Sequence, residues 1–268
     1  MIQAKDKKNK KGKVARKPAG KPVTFHVVTL FPTAFDSYLG ESILKRAIDD
    51  KKISVKFYNP RDFTVASGRA KIKSGPMKGK FKKVWSYADR RVDDRAYGGG
   101  PGMVIEALPV IKAIDKAVGR KLKAKAGSVR IIFFSPAGRQ LDTAYAKELA
   151  APAVAGGVTD IVFVCGRYEG IDARIKEAFD MEDISVGPFV LTGGELPAML
   201  VIDTVARQIP GVLGDFASLE ESRIASSDVY TRPETITFKG KKYKVPEVLL
   251  SGNHKLIEEW RQSKKDQK

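Results

Sequence analysis

Apolar runs rich in β-branched residues constrain the fold of this chain more than any other feature. Val23–Leu30, Arg130–Phe134 and Asp160–Cys165 are such runs, and Ile53–Tyr58 is also typical of a strand. A strand with one face in water alternates polar and apolar residues, whereas a strand covered on both faces does not need to. Stretches of helical length separate the runs. The sequence therefore predicts an α/β fold with a mainly parallel sheet and helices on both of its faces.

The stretches between these runs have the features of helices. Glu106–Val118 carries apolar residues at helical spacing, and Pro32 suits the onset of a helix. The predicted helices are Thr33–Ile48, Glu106–Val118, Leu141–Ala150, Ile171–Phe179 and Leu196–Gln208. Ligands of open parallel sheets bind beyond the carboxyl ends of the strands. We therefore expect functional residues in the loops that follow the strands.

The net charge of +18 is concentrated in two segments. Residues 1–22 and residues 66–91 each carry nine basic side chains and one acidic one, which leaves a nearly neutral body. Clustered positive charge suggests a polyanionic partner. Phe81, Trp85 and Tyr87 lie among the lysines of the second segment, and such rings can stack on the bases of an RNA. Two alternatives stay open: both segments only aid solubility, or the rings attach the segment to the body.

The cysteine and histidine content excludes several classes of protein. The single Cys165 rules out an internal disulfide and fits a reducing, cytoplasmic setting; its place at the end of an apolar run favours a buried structural role. His26 and His254 have no partners at metal-ligand spacing, so no metal site is predicted. No apolar stretch approaches the roughly 20 residues of a membrane span, and the lysine-rich start lacks the apolar segment of a secretory signal. We expect a cytoplasmic protein with no membrane partner.

Glycine-bearing loops follow the predicted strands at Ser135–Arg139, Cys165–Gly170 and Ser185–Pro197. None contains a phosphate-binding loop or a dinucleotide fingerprint, which disfavours nucleotide hydrolysis and an ordinary Rossmann cofactor. What remains is either a pocket of backbone amides and carbonyls or a set of tight turns without a ligand. A fourth loop, Asp93–Gly102, could bind an anion at the start of the next helix. Its paired carboxylates argue instead for a contact to an arginine or a base edge.

Several long runs of the chain resemble the bacterial tRNA (guanine-N1)-methyltransferase family, the TrmD type. They occur in the family's order and together cover most of residues 23–65 and 92–261. The runs are VDDRAYGGGPGM (92–103), SPAGRQLD (135–142), CGRYEGID (165–172), SVGPFVLTGGELPAMLVIDTVARQIPGVLG (185–214), YTRPE (230–234) and VPEVLLSGNH (245–254).

The resemblance implies a SPOUT methyltransferase, an α/β core whose chain forms a trefoil knot that binds S-adenosylmethionine. Knots are so rare that composition and periodicity would not predict one. The resemblance also implies a tRNA substrate methylated at the guanine 3′ of the anticodon, a homodimer with the active site at the subunit interface, and magnesium dependence. Its division of the chain is a basic tail (1–22), a methyltransferase domain (23–213) with a basic insertion (66–91), a linker (214–231) and a short, truncated C-terminal helical segment for tRNA binding (232–268).

Matching the family's motifs assigns residues to the cofactor and to catalysis. Arg207 matches an arginine proposed to stabilise charge that develops on guanine O6, and Glu221 lies where the family has an aspartate as the base. The residues assigned to the cofactor are Phe134, Ser135, Pro136, Gly138, Gly166, Glu169, Ser185, Val186, Gly187, Phe189, Leu191, Gly193 and Gly194.

The chain also departs from the family pattern. Glutamate replaces the aspartate base, with Asp215 and Asp228 as nearby alternatives, and both the linker and the C-terminal domain are short. An RNA-binding homologue with weak or altered methyltransferase activity on another tRNA or rRNA site is therefore the alternative function. A further hypothesis is that the basic tail and the insertion compensate for a reduced tRNA-binding surface.

Overall fold

The structure, a computed structural model, describes residues 22–65, 68–78, 80–84, 86, 88–124, 129–155, 160–213 and 228–265. The chain divides into two compact units, the first ending at Ile209 and the second beginning at Pro210. The predicted basic tail and most of the predicted linker lie outside the described residues.

The strands are β1 (Val23–Val28), β2 (Ile53–Tyr58), β3 (Gly68–Lys71), β4 (Phe81–Val84), β5 (Asp93–Asp94), β6 (Val104–Ile105), β7 (Val129–Gln140), β8 (Asp160–Val164), β9 (Glu182–Ser185), β10 (Thr235–Phe238) and β11 (Lys241–Lys244). The α-helices are α1 (Asp36–Leu39), α2 (Ser42–Asp49), α3 (Ala107–Ala124), α4 (Thr143–Val154), α5 (Arg174–Ala178), α6 (Glu195–Ala206), α7 (Glu247–Leu250) and α8 (His254–Lys265). Short 3₁₀ helices span Pro32–Phe35, Pro60–Asp62 and Ala88–Arg90. None of these described helices is both long and apolar enough to cross a membrane.

The first unit is built on a five-stranded sheet in the order β2-β1-β8-β7-β9, and all of its pairs are parallel. Every residue of β1 and of β8 is buried, which requires cover on both faces of the sheet. On one face, Val110, Ile114 and Val118 of α3 pack against strand residues that include Val162 and Val164. The predicted mainly parallel α/β architecture is therefore confirmed. The trefoil knot stays a prediction.

The prediction of one helix over Thr33–Ile48 is wrong. The 3₁₀ helix Pro32–Phe35 leads into α1, which has Gly40 as its C-cap. Glu41 is extended, and α2 begins at Ser42. A Cβ on Gly40 would lie 2.6 Å from the carbonyl oxygen of Asp36, so the chain turns there in a way that a side chain would obstruct. Helical spacing alone does not reveal this break, because buried apolar residues continue on both sides of it, at Leu39 and Leu44.

The predicted loop at Ser135–Arg139 is part of β7 rather than a connection to a helix. β7 pairs with β9 twice: Phe134 lies opposite Ile184, and after four intervening residues Arg139 lies opposite the same Ile184. Residues 135–138 thus form an excursion within one strand. No residue range was predicted for its partner β9, the strand before the third glycine-bearing loop, because the polar residues Glu182 and Asp183 conceal the pattern of a buried strand.

The charged residues of β9 have specific partners. The Arg130 guanidinium binds both carboxylate oxygens of Glu182, and the Tyr145 hydroxyl donates to Glu182 Oε2 over 2.7 Å. The Arg130 hydrogen bonds lower the pKa of Glu182, whereas burial, and then the bond to Glu182, raises the pKa of Tyr145. These bonds attach β9 to β7 and α4.

Two other sequence-based predictions need correction. The Asp93–Gly102 loop does not lead directly into a helix, because β6 follows it and pairs with β5 before α3 begins; its amides are therefore not at a helix start. Part of the basic insertion forms an antiparallel hairpin of β3 and β4, which periodicity did not indicate.

The second unit is not only helical. β10 and β11 form an antiparallel hairpin ahead of α7 and α8. The rings of Tyr230 and Trp260 lie 6.3 Å apart, which joins the start of this segment to α8.

A buried polar cluster lies at the start of β8. Asp160 is fully buried, and its Oδ1 is 2.9 Å from His26 Nε2 and 2.6 Å from Lys121 Nζ. His26 Nδ1 is in turn 3.0 Å from the Tyr58 hydroxyl. Burial by itself raises the pKa of Asp160, but the hydrogen bonds from His26 and Lys121 outweigh it and lower the pKa below its ordinary value. The ionised carboxylate therefore holds β1, β8 and α3 together.

We expect Asp160→Asn to lower the free energy of unfolding at pH 7 by about 1–3 kcal/mol, because hydrogen bonds to a charged group are lost. A lowered native pKa gives stability that is present above the unfolded pKa and lost as the pH falls through the native pKa. The difference between wild type and variant should therefore shrink below about pH 4. Denaturant unfolding at several pH values measures it, with the exposed Asp180→Asn as control. Equal stabilities at pH 7 would contradict the role of Asp160.

Candidate active site

Three segments meet at the carboxyl edge of the sheet, where the parallel strands end. They are the excursion of β7, the loop after β8 and the loop after β9, and they enclose a cavity of about 220 Å³. The lining residues are Phe133, Phe134, Ser135, Pro136, Gly166, Arg167, Tyr168, Glu169, Gly170, Ile184, Val186, Gly187, Phe189, Val190, Leu191, Thr192, Gly193, Gly194 and Pro197.

Backbone hydrogen bonds join the loops to one another. The Gly194 amide donates to the Gly166 carbonyl over 3.0 Å, and Arg167 pairs with Gly193 as an isolated bridge. On the other side, the Ile105 amide donates to the Gly170 carbonyl, which brings the glycine-rich 93–102 segment beside the cavity. The walls are therefore fixed by main-chain bonds, which do not depend on side-chain rotamers.

Close backbone approach explains why two of these positions are glycine. A Cβ on Gly194 would lie 2.6 Å from Cα of Cys165. A Cβ on Gly138 would lie 2.4 Å from the carbonyl carbon of Asp183. Real Cβ atoms do not approach backbone this closely, so both loops can only pack with glycine.

All the residues assigned to the cofactor from the sequence line this cavity except Gly138 and Ser185. Gly138 lies against the backbone of β9, where it permits the β7 excursion. Ser185 is buried, and its hydroxyl donates to the Gly187 carbonyl and accepts from the Gly187 amide. These two residues support the wall of the cavity without lining it.

Other lining residues were not assigned from the sequence. Arg167 and Tyr168 lie between assigned residues of one motif, so the continuity of that motif could have indicated them. Neither side chain is buried: Arg167 is partly exposed, and Tyr168 is exposed, with a left-handed backbone. Val190 and Thr192 sit between assigned residues of the third loop in the same way. Phe133, Ile184 and Pro197 belong to strands or to α6, and no loop motif pointed to them.

A buried carboxylate, Glu195, supports the loop after β8 through its contact with Arg167. Glu195 accepts a 2.7 Å hydrogen bond from the Thr29 hydroxyl at Oε1, and its Oε2 lies 3.0 Å from Arg167 Nε in an ion pair. The Arg167 guanidinium also lies 4.6 Å from the ring centre of Phe31. A buried charge is tolerated when it is paired. Glu195 therefore orients Arg167 at the rim of the cavity.

Cys165 lies at the base of the same loop and is buried, as predicted. Burial, and then the charge of Glu195, raises the pKa of its thiol well above the ordinary value. The thiol is neutral at physiological pH, so it is a packing group and not a nucleophile.

Of the two residues assigned to catalysis, the structure describes only Arg207. Arg207 follows the last turn of α6, where its amide donates to the Asp203 carbonyl, and it does not line the cavity. The Tyr38 hydroxyl donates to Asp203 Oδ2 over 2.9 Å, so this end of α6 is held to α1. Glu221 and the alternative Asp215 lie outside the described residues. Asp228 is described and exposed.

Several known proteins are similar to this chain. The sequence model of the family described as tRNA (guanine-1)-methyltransferase TrmD matches residues 23–84 and 76–268. A tRNA (guanine-N(1)-)-methyltransferase of Vibrio vulnificus (strain YJ016) is 41% identical over 239 residues, which are 88% of this chain and 82% of the relative. One from Dechloromonas aromatica (strain RCB) is 40% identical over 243 residues, covering 89% and 84%.

A solved structure is similar as well. The crystal structure of tRNA (m1G37) methyltransferase from Aquifex aeolicus superposes with a TM-score of 0.63 at 35% identity. The match covers 91% of this chain and 89% of that one.

We expect Gly194→Ala to lower the affinity for S-adenosylmethionine, the ligand implied by the resemblance, by about tenfold or more. The second and third loops must move apart to make room for the alanine side chain, which displaces the cavity walls. Isothermal titration calorimetry measures the affinity. Gly119→Ala in α3 is the matched control, since its Cβ would meet only the side chain of Asp115, which can turn away. Equal affinities of Gly194→Ala and wild type would contradict this account of the cavity.

Proposed function

The chain belongs to the tRNA (guanine-1)-methyltransferase family, and from this premise we propose that it transfers a methyl group from S-adenosylmethionine to N1 of the guanine 3′ of the tRNA anticodon. The observation that carries the proposal is the cavity at the carboxyl edge of the sheet, which three loops with family motifs enclose. tRNA is the proposed partner, and the cytoplasm is the proposed location.

The cavity suits a nucleoside without phosphates. Among its described lining residues the charged ones are Arg167 and Glu169, and Arg167 is already paired with Glu195. The backbone of Gly166, Gly187 and Gly193 can present amides and carbonyls to an adenine edge, and Phe134, Val186 and Leu191 supply apolar walls. The Glu169 carboxylate is placed to interact with positive charge. When bound, S-adenosylmethionine supplies an electrophilic methyl group on a sulfonium.

The reaction requires a base and a cation from the protein. N1 of guanine carries a proton at neutral pH, so a base must take it as the nitrogen–methyl bond forms and the methyl–sulfur bond breaks, which would leave a neutral thioether. Glu221 is the proposed base, and Arg207 is proposed to stabilise the negative charge that develops towards O6. The bond between the Arg207 amide and Asp203, itself held by Tyr38, fixes the point from which the Arg207 side chain reaches out.

We infer that the chain acts as a homodimer. Leu196 and Leu200 of α6 are half exposed, and Phe189 and Val190 beside them are also exposed. Contiguous exposed apolar residues mark an interaction surface, and this surface borders the cavity. A second copy would cover it and complete the site near Arg207.

Magnesium dependence, implied by the resemblance, finds no support in the donor set. Among the described residues no three His, Cys, Asp or Glu side chains are grouped so that they could hold a metal ion. No step proposed here passes through a metal.

Glu221→Gln should lower kcat by about 10²- to 10⁴-fold, the range for losing a general base, while the affinity for S-adenosylmethionine stays unchanged. Glu221→Asp should retain activity, because a carboxylate is kept. Single-turnover methyl transfer measures both, with Glu220→Gln as the adjacent control. Wild-type rates for Glu221→Gln would exclude this residue as the base.

Arg207→Ala should lower kcat by about 10²-fold or more, since a group that stabilises transition-state charge is removed. Arg207→Lys should recover part of the rate. The same assay tests the alternative function: a wild-type chain that binds tRNA but transfers no methyl group above background would favour an RNA-binding homologue.

A further inference from the structure

The hairpin of β3 and β4 is the most strongly charged described part of the chain. Between Gly68 and Val84 the sequence has seven basic residues and no acidic one. Lys71, Lys73, Lys78, Lys80 and Lys82 are exposed. None of the ion pairs of the described residues includes a residue of this hairpin. Its positive charge is therefore not neutralised within the described chain.

The register of the hairpin concentrates this charge. Arg69 is paired with Lys83, so residues of like charge occupy opposite positions, and Lys71 is paired with Phe81. Like charges at opposite positions destabilise a two-stranded ribbon. A two-stranded hairpin is also marginal on its own, and β3 and β4 pair with no other described strand. Such an arrangement gains stability when a polyanion binds to it.

Phe81 adds an aromatic ring to the same face. Residues directly opposite each other in a ladder share a face, and Lys71 lies opposite Phe81. The Phe81 side chain is 67% exposed, so the ring is not used to attach the hairpin to the core. Cations beside an exposed ring are what single-stranded nucleic acid requires: charges for phosphates and a flat surface for a base.

Both ends of the insertion are fixed at the edge of the sheet that holds the cavity. Before the insertion, Arg61 donates to the Leu30 carbonyl. Its guanidinium lies 5.8 Å from the centre of the Phe31 ring, which Arg167 also contacts. At the C-terminal end of the insertion, Arg90 forms an ion pair with Asp62 at 2.8 Å. Just after it, Asp93 of β5 is paired with Ile105 of β6. Ile105 donates in turn to Gly170 of the cavity wall. The hairpin therefore extends from the rim of the proposed active site.

We propose that the β3–β4 hairpin is an RNA-binding surface that contacts the phosphate backbone of the substrate tRNA through its lysines and stacks Phe81 on an unpaired base. The inference rests on the proposed function for the identity of the RNA. The two segments matched by the family's sequence model overlap at residues 76–84, within this hairpin, so the surface belongs to a part of the chain where the family pattern is interrupted.

The test compares two triple variants of the full chain with the same change in charge. Lys71→Gln/Lys80→Gln/Lys82→Gln removes three of the seven positive charges of the hairpin, and Lys56→Gln/Lys116→Gln/Lys147→Gln removes three exposed lysines elsewhere in the first unit. Each lost phosphate contact lowers the slope of log affinity against log salt concentration by about 0.7 to 0.9. The hairpin variant should therefore lose about 2 from the slope and bind tRNA on the order of tenfold more weakly, with a raised KM for tRNA and an unchanged affinity for S-adenosylmethionine. The control variant should change little.

Phe81 is tested separately from charge. Phe81→Leu should weaken tRNA binding on the order of tenfold at every salt concentration, since base stacking is lost, whereas Phe81→Tyr should bind like wild type. Circular dichroism confirms that each variant is folded.

The outcomes separate this inference from the proposed function. A wild type that methylates tRNA, with a hairpin variant of unchanged affinity and salt slope, overturns the hairpin proposal alone. Equal losses of tRNA affinity in both triple variants overturn it too, because positive charge anywhere on the first unit would then contribute equally to binding. Loss of binding to anionic phospholipid vesicles, with unchanged tRNA binding, would assign the hairpin to a membrane surface instead. A wild type that binds tRNA through the hairpin but transfers no methyl group overturns only the proposed function.

Discussion

The close approach of Gly194 to the end of β8 is the contact on which the rest of the site depends. The Gly194 amide bonds to the Gly166 carbonyl, and there is no room between Gly194 and Cys165 for a side chain. Because Gly194 also precedes α6, this contact sets where the helix starts. Glu195 then enters the interior, where it accepts a hydrogen bond from Thr29 and forms an ion pair with Arg167. One backbone contact thus fixes the second loop, the third loop and the helix α6, which Arg207 follows.

Much of the fold follows from the sequence because buried parallel strands have a clear pattern. β1 and β8 are continuous apolar runs and lie at the centre of the sheet, as expected. β9 escapes the same reasoning, since Glu182 is buried in part through bonds to Arg130 and Tyr145 from distant parts of the chain. The excursion in β7 escapes it as well, because Pro136 and Gly138 suggest a loop and only pairing with β9 shows that the strand resumes. Both failures arise from long-range partners that local patterns do not contain.

The residues of the candidate site were also predicted only in part. Motif resemblance assigned residues that the fold does bring around one cavity, but it could not separate those that line it from those behind it, such as Ser185. It also assigned Arg207 and Glu221 without placing them. The cavity is the proposed site of the nucleoside cofactor, whereas Arg207, which is proposed to act on guanine, does not line it. The proposed homodimer would supply the remaining groups, because a second subunit and the tRNA would complete the site. The β3–β4 hairpin, where the two segments matched by the family model overlap, extends from the same rim.

The position of the transferred methyl group tests the central claim most directly. The full chain would be incubated with S-adenosylmethionine and a tRNA that has guanine 3′ of the anticodon, and the digested product analysed by mass spectrometry. The account predicts one 1-methylguanosine at that position, and none when the guanine is replaced by adenine. A methyl group on another atom or another nucleotide, or no transfer at all, would contradict it.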